Sequence, residues 1–126
     1  MIAGKQRIYN ILYITVIMLL FSTVTHAKLL HYEKWYQEKH CKGKTEVTLP
    51  DRTRCDCVTQ THAIEYDFGN KWSEAIGQSL NYAMQTGKRA GIVLIIESVK
   101  DRKYWIRLNS IIQHYKLPID TWKIEP

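Results

Sequence analysis

The sequence predicts an α/β fold: a single small domain whose mixed sheet is flanked by helices in the order α-β-β-β-α-β-α-β. Three observations carry that expectation. Residues 46–68 alternate polar and apolar in short segments divided by turn residues. Residues 92–96 (Ile-Val-Leu-Ile-Ile) form an unbroken apolar run, and the segments around them repeat their apolar residues at helical spacing.

Each element follows from its own pattern. Residues 29–41, with Leu29, Leu30, Tyr32, Trp35 and Tyr36 among charged residues, read as an amphipathic helix ended near Gly43. Residues 46–49 alternate, Pro50-Asp51 marks a turn, residues 52–59 alternate again, and residues 61–68 supply a third strand, giving an antiparallel meander. Asn70 is placed to cap a helix over residues 71–86, with Gly87 as its stop. Residues 91–97 suit a central strand covered on both faces. A helix over residues 102–115 puts Trp105, Leu108, Ile112 and Tyr115 on one stripe and closes at Leu117-Pro118, and a short strand follows at 122–124. The chain carries no repeat, low-complexity tract or interdomain linker.

Residues 1–27 have Lys5 and Arg7, then an uncharged run from Ile11 to Val24, then Thr25-His26-Ala27 as a cleavage context. This pattern reads as a secretory signal peptide directing an exported protein to the periplasm or the medium, with an N-terminal membrane anchor as runner-up. Cleavage leaves a domain over residues 28–126, enough chain for one core, with no membrane contact expected after cleavage. The formal charge is +6. Without Lys5 and Arg7 the charge is +4, a moderate excess. Lys42, Lys44, Arg52, Arg54, Lys71, Lys88 and Arg89 flank the acidic residues described below in sequence, an arrangement suited to a polyanion.

Cys41, Cys55 and Cys57 in an exported chain point to one disulfide and one leftover thiol. Cys55 and Cys57 are two apart on a strand, near the ~7 Å Cα limit and pointing the same way, so Cys41 pairs with one of them. A zinc site from His40, Cys41, Cys55 and Cys57 is the alternative, at a spacing that matches no zinc motif. No histidine is placed by sequence to serve a catalytic cysteine.

The chemistry lies between residues 46 and 82. Glu46 is followed by Asp56, then by Glu65 and Asp67, then by Lys71, Gln78 and Tyr82. Alternation on a strand places Glu65 and Asp67 on one face and Ile64, Tyr66 and Phe68 on the other. On the next helix Lys71, Gln78 and Tyr82 fall within roughly 40° of one another, while Trp72, Ile76, Leu80 and Ala83 form a second face for the sheet. An ordinary solvated face with Glu74 beside Lys71 is the plain alternative; the adjacent acidic strand favours a site.

Asp56 on the second strand, Glu65 on the third and Gln78-Ser79-Leu80-Asn81-Tyr82 on the following helix resemble the PD-(D/E)XK nuclease superfamily, with Gln-x-x-x-Tyr as in its RecB-type branch. Arg54-Cys55-Asp56 through Ala83 also resembles small exported bacterial proteins of that superfamily. The resemblance spans residues 46–96 and implies a restriction-endonuclease-like core and a hydrolase acting on phosphodiesters, with nucleic acid, DNA first, as partner. It further implies Mg2+ or Mn2+ held by Asp56 and Glu65 with the Tyr66 carbonyl. Asp67 would take a second ion or orient water, and Glu46, or in second place Glu33, would complete the acidic shell. Lys71 and Gln78 would act on the phosphate or water, and Tyr82 would brace Gln78. The superfamily usually has an aliphatic residue at the position of Cys55, which favours a Cys41–Cys57 disulfide. The chain departs from the pattern at Asp67, where lysine is expected; Lys71 is the candidate replacement. The alternative is a noncatalytic module of the same fold that binds nucleic acid or a protein.

Other signals are weaker. Gly87-Lys88 lacks the rest of a phosphate-binding loop, and Gly77-Gln78-Ser79 lacks the pattern of a hydrolase elbow. His31, His62 and His114 read as surface or packing residues. The four tryptophans read as core, with Trp105 or Tyr104 as stacking surfaces should they be exposed.

Overall fold

The meander and the later strands join in one five-stranded sheet of order β1-β2-β3-β4-β5, formed by Lys44–Thr48, Arg54–Val58, His62–Phe68, Arg89–Ile95 and Ile119–Ile124. The computed structural model describes residues 2–20 and 29–126. The first three strands run antiparallel and β3, β4 and β5 run parallel, so the sheet is mixed. Four α-helices occur among the described residues: α1 (Ile2–Leu20), α2 (Glu33–His40), α3 (Trp72–Thr86) and α4 (Arg102–Tyr115). The domain is thus a small α/β unit.

The parallel β3-β4 and β4-β5 pairs require crossovers, which α3 and α4 supply. Their apolar faces meet one side of the sheet, where Ala90, Ile92, Leu94 and Ile119 pack with Ala75, Leu108 and Ile112. Trp72, Ile76, Leu80 and Ala83 face this core as the helical stripe requires. On the other side, Ile64, Tyr66, Val93 and Ile95 pack against Tyr36 of α2. Central β4 is buried from Ala90 through Ile95, the reason for its continuous apolar run.

Several expected boundaries move. The helix expected over residues 29–41 is α2 and begins at Glu33, because the segment before it is held by Glu97: the backbone N–H groups of Leu30 and His31 donate to Glu97 Oε1 at 3.1 and 3.3 Å. The Tyr36 hydroxyl donates to the same oxygen at 2.8 Å, and Leu29 and Leu30 stay exposed. Asn70 does not cap α3; it lies within a 3-10 turn, Gly69–Lys71, and the helix starts at Trp72. Gly87 does end α3, with φ +66° in the left-handed region that glycine enters without penalty. Tyr115 is exposed and leaves the α4 stripe.

The cysteines resolve into a Cys41–Cys57 disulfide and a buried free Cys55. The bridge takes two ligands from the zinc alternative. Cys55 and Cys57 do not point the same way as expected. Cys57 packs with Ile64 and Tyr36, whereas Cys55 packs with Ala63 and Tyr82. Ala63 and Ile64 are consecutive and face opposite sides of β3, so the β1-β2 hairpin turns over between the two cysteines. Glu46, at the register position opposite Asp56, has φ +53°, a left-handed conformation rare in a side-chain-bearing strand residue.

Among the described residues no helix is long and apolar enough to cross a membrane. The expected cleavage position at Ala27 lies outside the described residues.

Candidate active site

β2 and β3 part company within the sheet, and the site forms where they do. Their ladder contains Cys57↔Ile64 and Val58↔Ala63; beyond it the Tyr66 N–H, which would otherwise lack a partner on that edge, donates to Asp56 Oδ2 at 2.8 Å. A strand residue directs its N–H and C=O toward the same neighbour, so the Tyr66 carbonyl also faces the gap beside Asp56.

Alternation along β3 turns Glu65 and Asp67 into the space under α3, at 4% and 3% exposure. The cleft measures about 400 Å³ and is lined by Glu46, Asp56, Glu65, Asp67, Lys71, Gln78 and Tyr82, together with Glu33, Thr53, Arg54 and Glu74. All seven side chains singled out in the sequence therefore converge. Its far lip, the β1-β2 turn, is tied to α3: Gln85 Oε1 accepts from the Asp51 N–H, and Asn81 Nδ2 donates to Asp51 Oδ2, both at 3.0 Å.

Burial dominates the electrostatics. Glu65 titrates far above the usual carboxylate range, first because it is buried and next because Asp56 and then Asp67 are charged beside it; the Tyr82 hydroxyl opposes this by hydrogen bonding to the ionised form. Asp56 is also raised by burial, against the stabilising Tyr66 N–H and a proton donated by Glu65, so the proton of this pair rests on Glu65. Glu65 Oε2 is buried and receives no hydrogen bond. Glu33 is pushed up to about 7, by burial and then by Asp56 and Asp67. Asp67 rises to about 6 through burial, against the pull of Lys71 and the Phe68 N–H. The Lys71 ammonium lies 3.8 Å from Asp67 Oδ1, and the Phe68 N–H donates to the same oxygen at 3.0 Å.

Some partners differ from those the sequence suggested. Tyr82 is buried and engages Glu65 where bracing of Gln78 was expected; Gln78 is exposed on the cleft wall. Glu46 reaches the cleft with one oxygen held by Arg54 Nη1 at 3.0 Å, whereas Glu33 interacts with both Asp56 and Asp67. Both acids line the cleft, and Glu46 also acts electrostatically on Asp56. Sequence gave Glu33 little weight because a helix residue over twenty positions upstream has no register with the strands. Arg54 was legible only as one basic residue among several, and Glu74 only as a neighbour of Lys71. Of the seven basic residues expected to flank the acids, Arg54 and Lys71 line the cleft. Lys88 Nζ donates to Gln60 O, Arg89 is clamped to Asp120, and Lys42 and Lys44 sit beside Val58 and Thr59, at the opposite end of β3.

The donor set fits a hard divalent cation, which takes carboxylate and carbonyl oxygens and keeps several waters. Among the described residues no group of three or more His, Cys, Asp and Glu side chains is arranged to hold a metal ion outright. What is present is the Asp56–Glu65 pair, one Glu65 oxygen without a donor, and a backbone carbonyl directed to the same gap. Magnesium sites commonly use one or two carboxylates with water.

Comparisons with protein-family models, with curated proteins and with solved structures return no match.

Proposed function

We propose that this chain is an exported, metal-dependent nuclease of the PD-(D/E)XK type, with a restriction-endonuclease-like core, that hydrolyses phosphodiester bonds of DNA. The observation that carries this reading is the buried Glu65–Asp56 pair, whose Glu65 oxygen has no donor and which can ionise together only when a cation offsets the charge. The disulfide fits an oxidising compartment outside the cytosol.

Asp56, Glu65 and the Tyr66 carbonyl would hold Mg2+ or Mn2+, and the bound ion would supply charge neutralisation at the phosphate and an acidified water. The remaining roles belong to the chain. Tyr82 favours the ionised form of Glu65, and the Tyr66 N–H fixes the Asp56 carboxylate. Lys71, half exposed and tethered to Asp67, presents an ammonium to the scissile phosphate in place of the lysine that Asp67 displaces. Gln78 can hydrogen-bond water or a phosphate oxygen from the helix wall. Arg54, anchored to Glu46 at the lip, meets the incoming phosphate backbone.

The test is hydrolysis of plasmid and linear DNA by the purified protein with Mg2+ or Mn2+, arrest by EDTA, and loss of hydrolysis in Asp56→Ala and Glu65→Ala proteins that stay folded. A second reading, a noncatalytic module that binds nucleic acid or protein, draws on Asp67 standing where the resemblance calls for lysine. Salt-sensitive DNA binding with no cleavage in either metal decides for it.

A further inference from the structure

We infer that the groove on the opposite face of the sheet binds single-stranded nucleic acid by stacking an unpaired base on Trp122. The groove measures about 570 Å³, larger than the acidic cleft, and its floor is the outer face of β3, β4 and β5: Ile64, Tyr66, Val93 and Ile124. Two inter-strand spacings make that floor roughly 10 Å wide, the breadth of one base with its sugar.

One wall is an indole laid on the backbone. A Cβ at Gly91 would stand 2.9 Å from Trp122 Cζ3 and 3.1 Å from Ile64 Cγ1, so glycine is what lets the ring lie this close to the sheet. Trp122 nevertheless remains 43% exposed, the most accessible tryptophan of the domain, contrary to its expected place in the core. It is buttressed from the side: the His62 ring meets it edge to face at 5.3 Å, His62 Nε2 contacts Asp120 Oδ2 at 2.7 Å, and Arg89 binds both Asp120 oxygens. A fixed, half-exposed aromatic ring is what base stacking needs, because its ordering cost is already met within the fold.

The other wall carries the charge. His40 and Lys42 line it, held over the floor by the disulfide between Cys41 and Cys57. Lys42 and Lys44 have no ion-pair partner among the described residues, and Lys88 lies at the adjoining turn. Asp120, at this end, is paired with Arg89 and His62, and the groove-lining Lys123 is paired with Glu125. A cationic rim over a flat, apolar and aromatic floor complements a chain of phosphates bearing planar bases. A duplex, whose bases are stacked inward, offers no such ring. This binding requires neither metal nor cleavage, so it stands apart from the nuclease reading.

The test uses the full chain in EDTA with a fluorescein-labelled 12-nucleotide oligothymidylate, read by fluorescence anisotropy at low salt. The expected result is salt-dependent binding that weakens ~10-fold in Trp122→Ala, as loss of one base–aromatic stack requires, and largely returns in Trp122→Phe. Lys42→Glu, at an exposed position outside the packed clusters, should also weaken it several-fold and keeps the test decisive if Trp122→Ala does not fold. Absence of binding, binding unchanged in both variants, or equal binding of a 12-base-pair duplex overturns the inference. Tighter binding of an acidic, aromatic peptide than of the oligonucleotide overturns it too, giving the groove to a protein partner.

Discussion

Ile64, Glu65, Tyr66 and Asp67 are four consecutive residues of β3, yet they build two unlike surfaces. Glu65 and Asp67 enter a cleft under α3 where carboxylates are desolvated together; Ile64 and Tyr66 floor an apolar groove that α2 leaves partly open. The difference lies in what each surface needs from outside. The groove is stable as it stands, since apolar side chains and a buttressed indole lose little by partial exposure. The cleft gathers Glu33, Asp56, Glu65 and Asp67 with Lys71 placed against Asp67, and burial together with mutual repulsion raises all four carboxyls above their ordinary values. One strand thus places a site that needs a cation back to back with one that does not.

The sharpest way to break the comparison is at Asp56 or Glu65. Alanine at either should abolish metal-dependent cleavage of DNA while leaving oligothymidylate binding in EDTA unaltered, and both can be measured on the same preparations. Joint loss of the two activities in folded protein would merge the surfaces into one site.

The groove side depends on its covalent tie. Cys41 and Cys57 close a loop with a sequence separation of 16, and removing the bridge should cost about 3 kcal/mol of stability. Urea unfolding of Cys41→Ser/Cys57→Ser measures this. Cys55 should resist thiol reagents until the protein unfolds, because burial pushes its thiol up to about 11; rapid labelling of native protein would contradict its place between Ala63 and Tyr82.

Within the cleft, Lys71→Ala should lower turnover ~100-fold with little change in folding, the loss typical of removing one group that stabilises developing charge. Asp67→Lys in that background should recover part of it if an ammonium near β3 is the requirement. Full activity in Lys71→Ala would leave the relocated-lysine role without support.

The smallest effect separates the surfaces by pH. Glu33 and Asp67 titrate near 7 and 6 in the folded chain, above their ordinary values of 4.5 and 3.8. The folded state therefore binds more protons than the unfolded state, so this contribution to stability is complete below about pH 4 and is lost as pH rises through 6 and 7. In EDTA, the melting temperature should fall by a few degrees between pH 5 and pH 8, and Mg2+ should restore it more at pH 8 than at pH 5. The slope should persist in Trp122→Ala, whose groove holds none of these acids.

The sequence determined the order of elements, the pairing of Glu65 with Asp67 on one strand face and the helical stripe of Lys71, Gln78 and Tyr82, because periods of 2 and 3.6 are local properties of the backbone. It limited the disulfide to Cys41 with Cys55 or Cys57 for the same reason, through reach along one strand. Tertiary structure alone decided that Cys55 and Cys57 part to opposite sides, that Glu33 comes to Asp56 and Asp67 while Glu46 is held by Arg54, and that Lys42, Lys44, Lys88 and Arg89 leave the acids for the far end of β3. Those outcomes depend on where the β2-β3 ladder opens and how α2 seats on the sheet. Both are set by packing between residues distant in the chain, for which no local period exists.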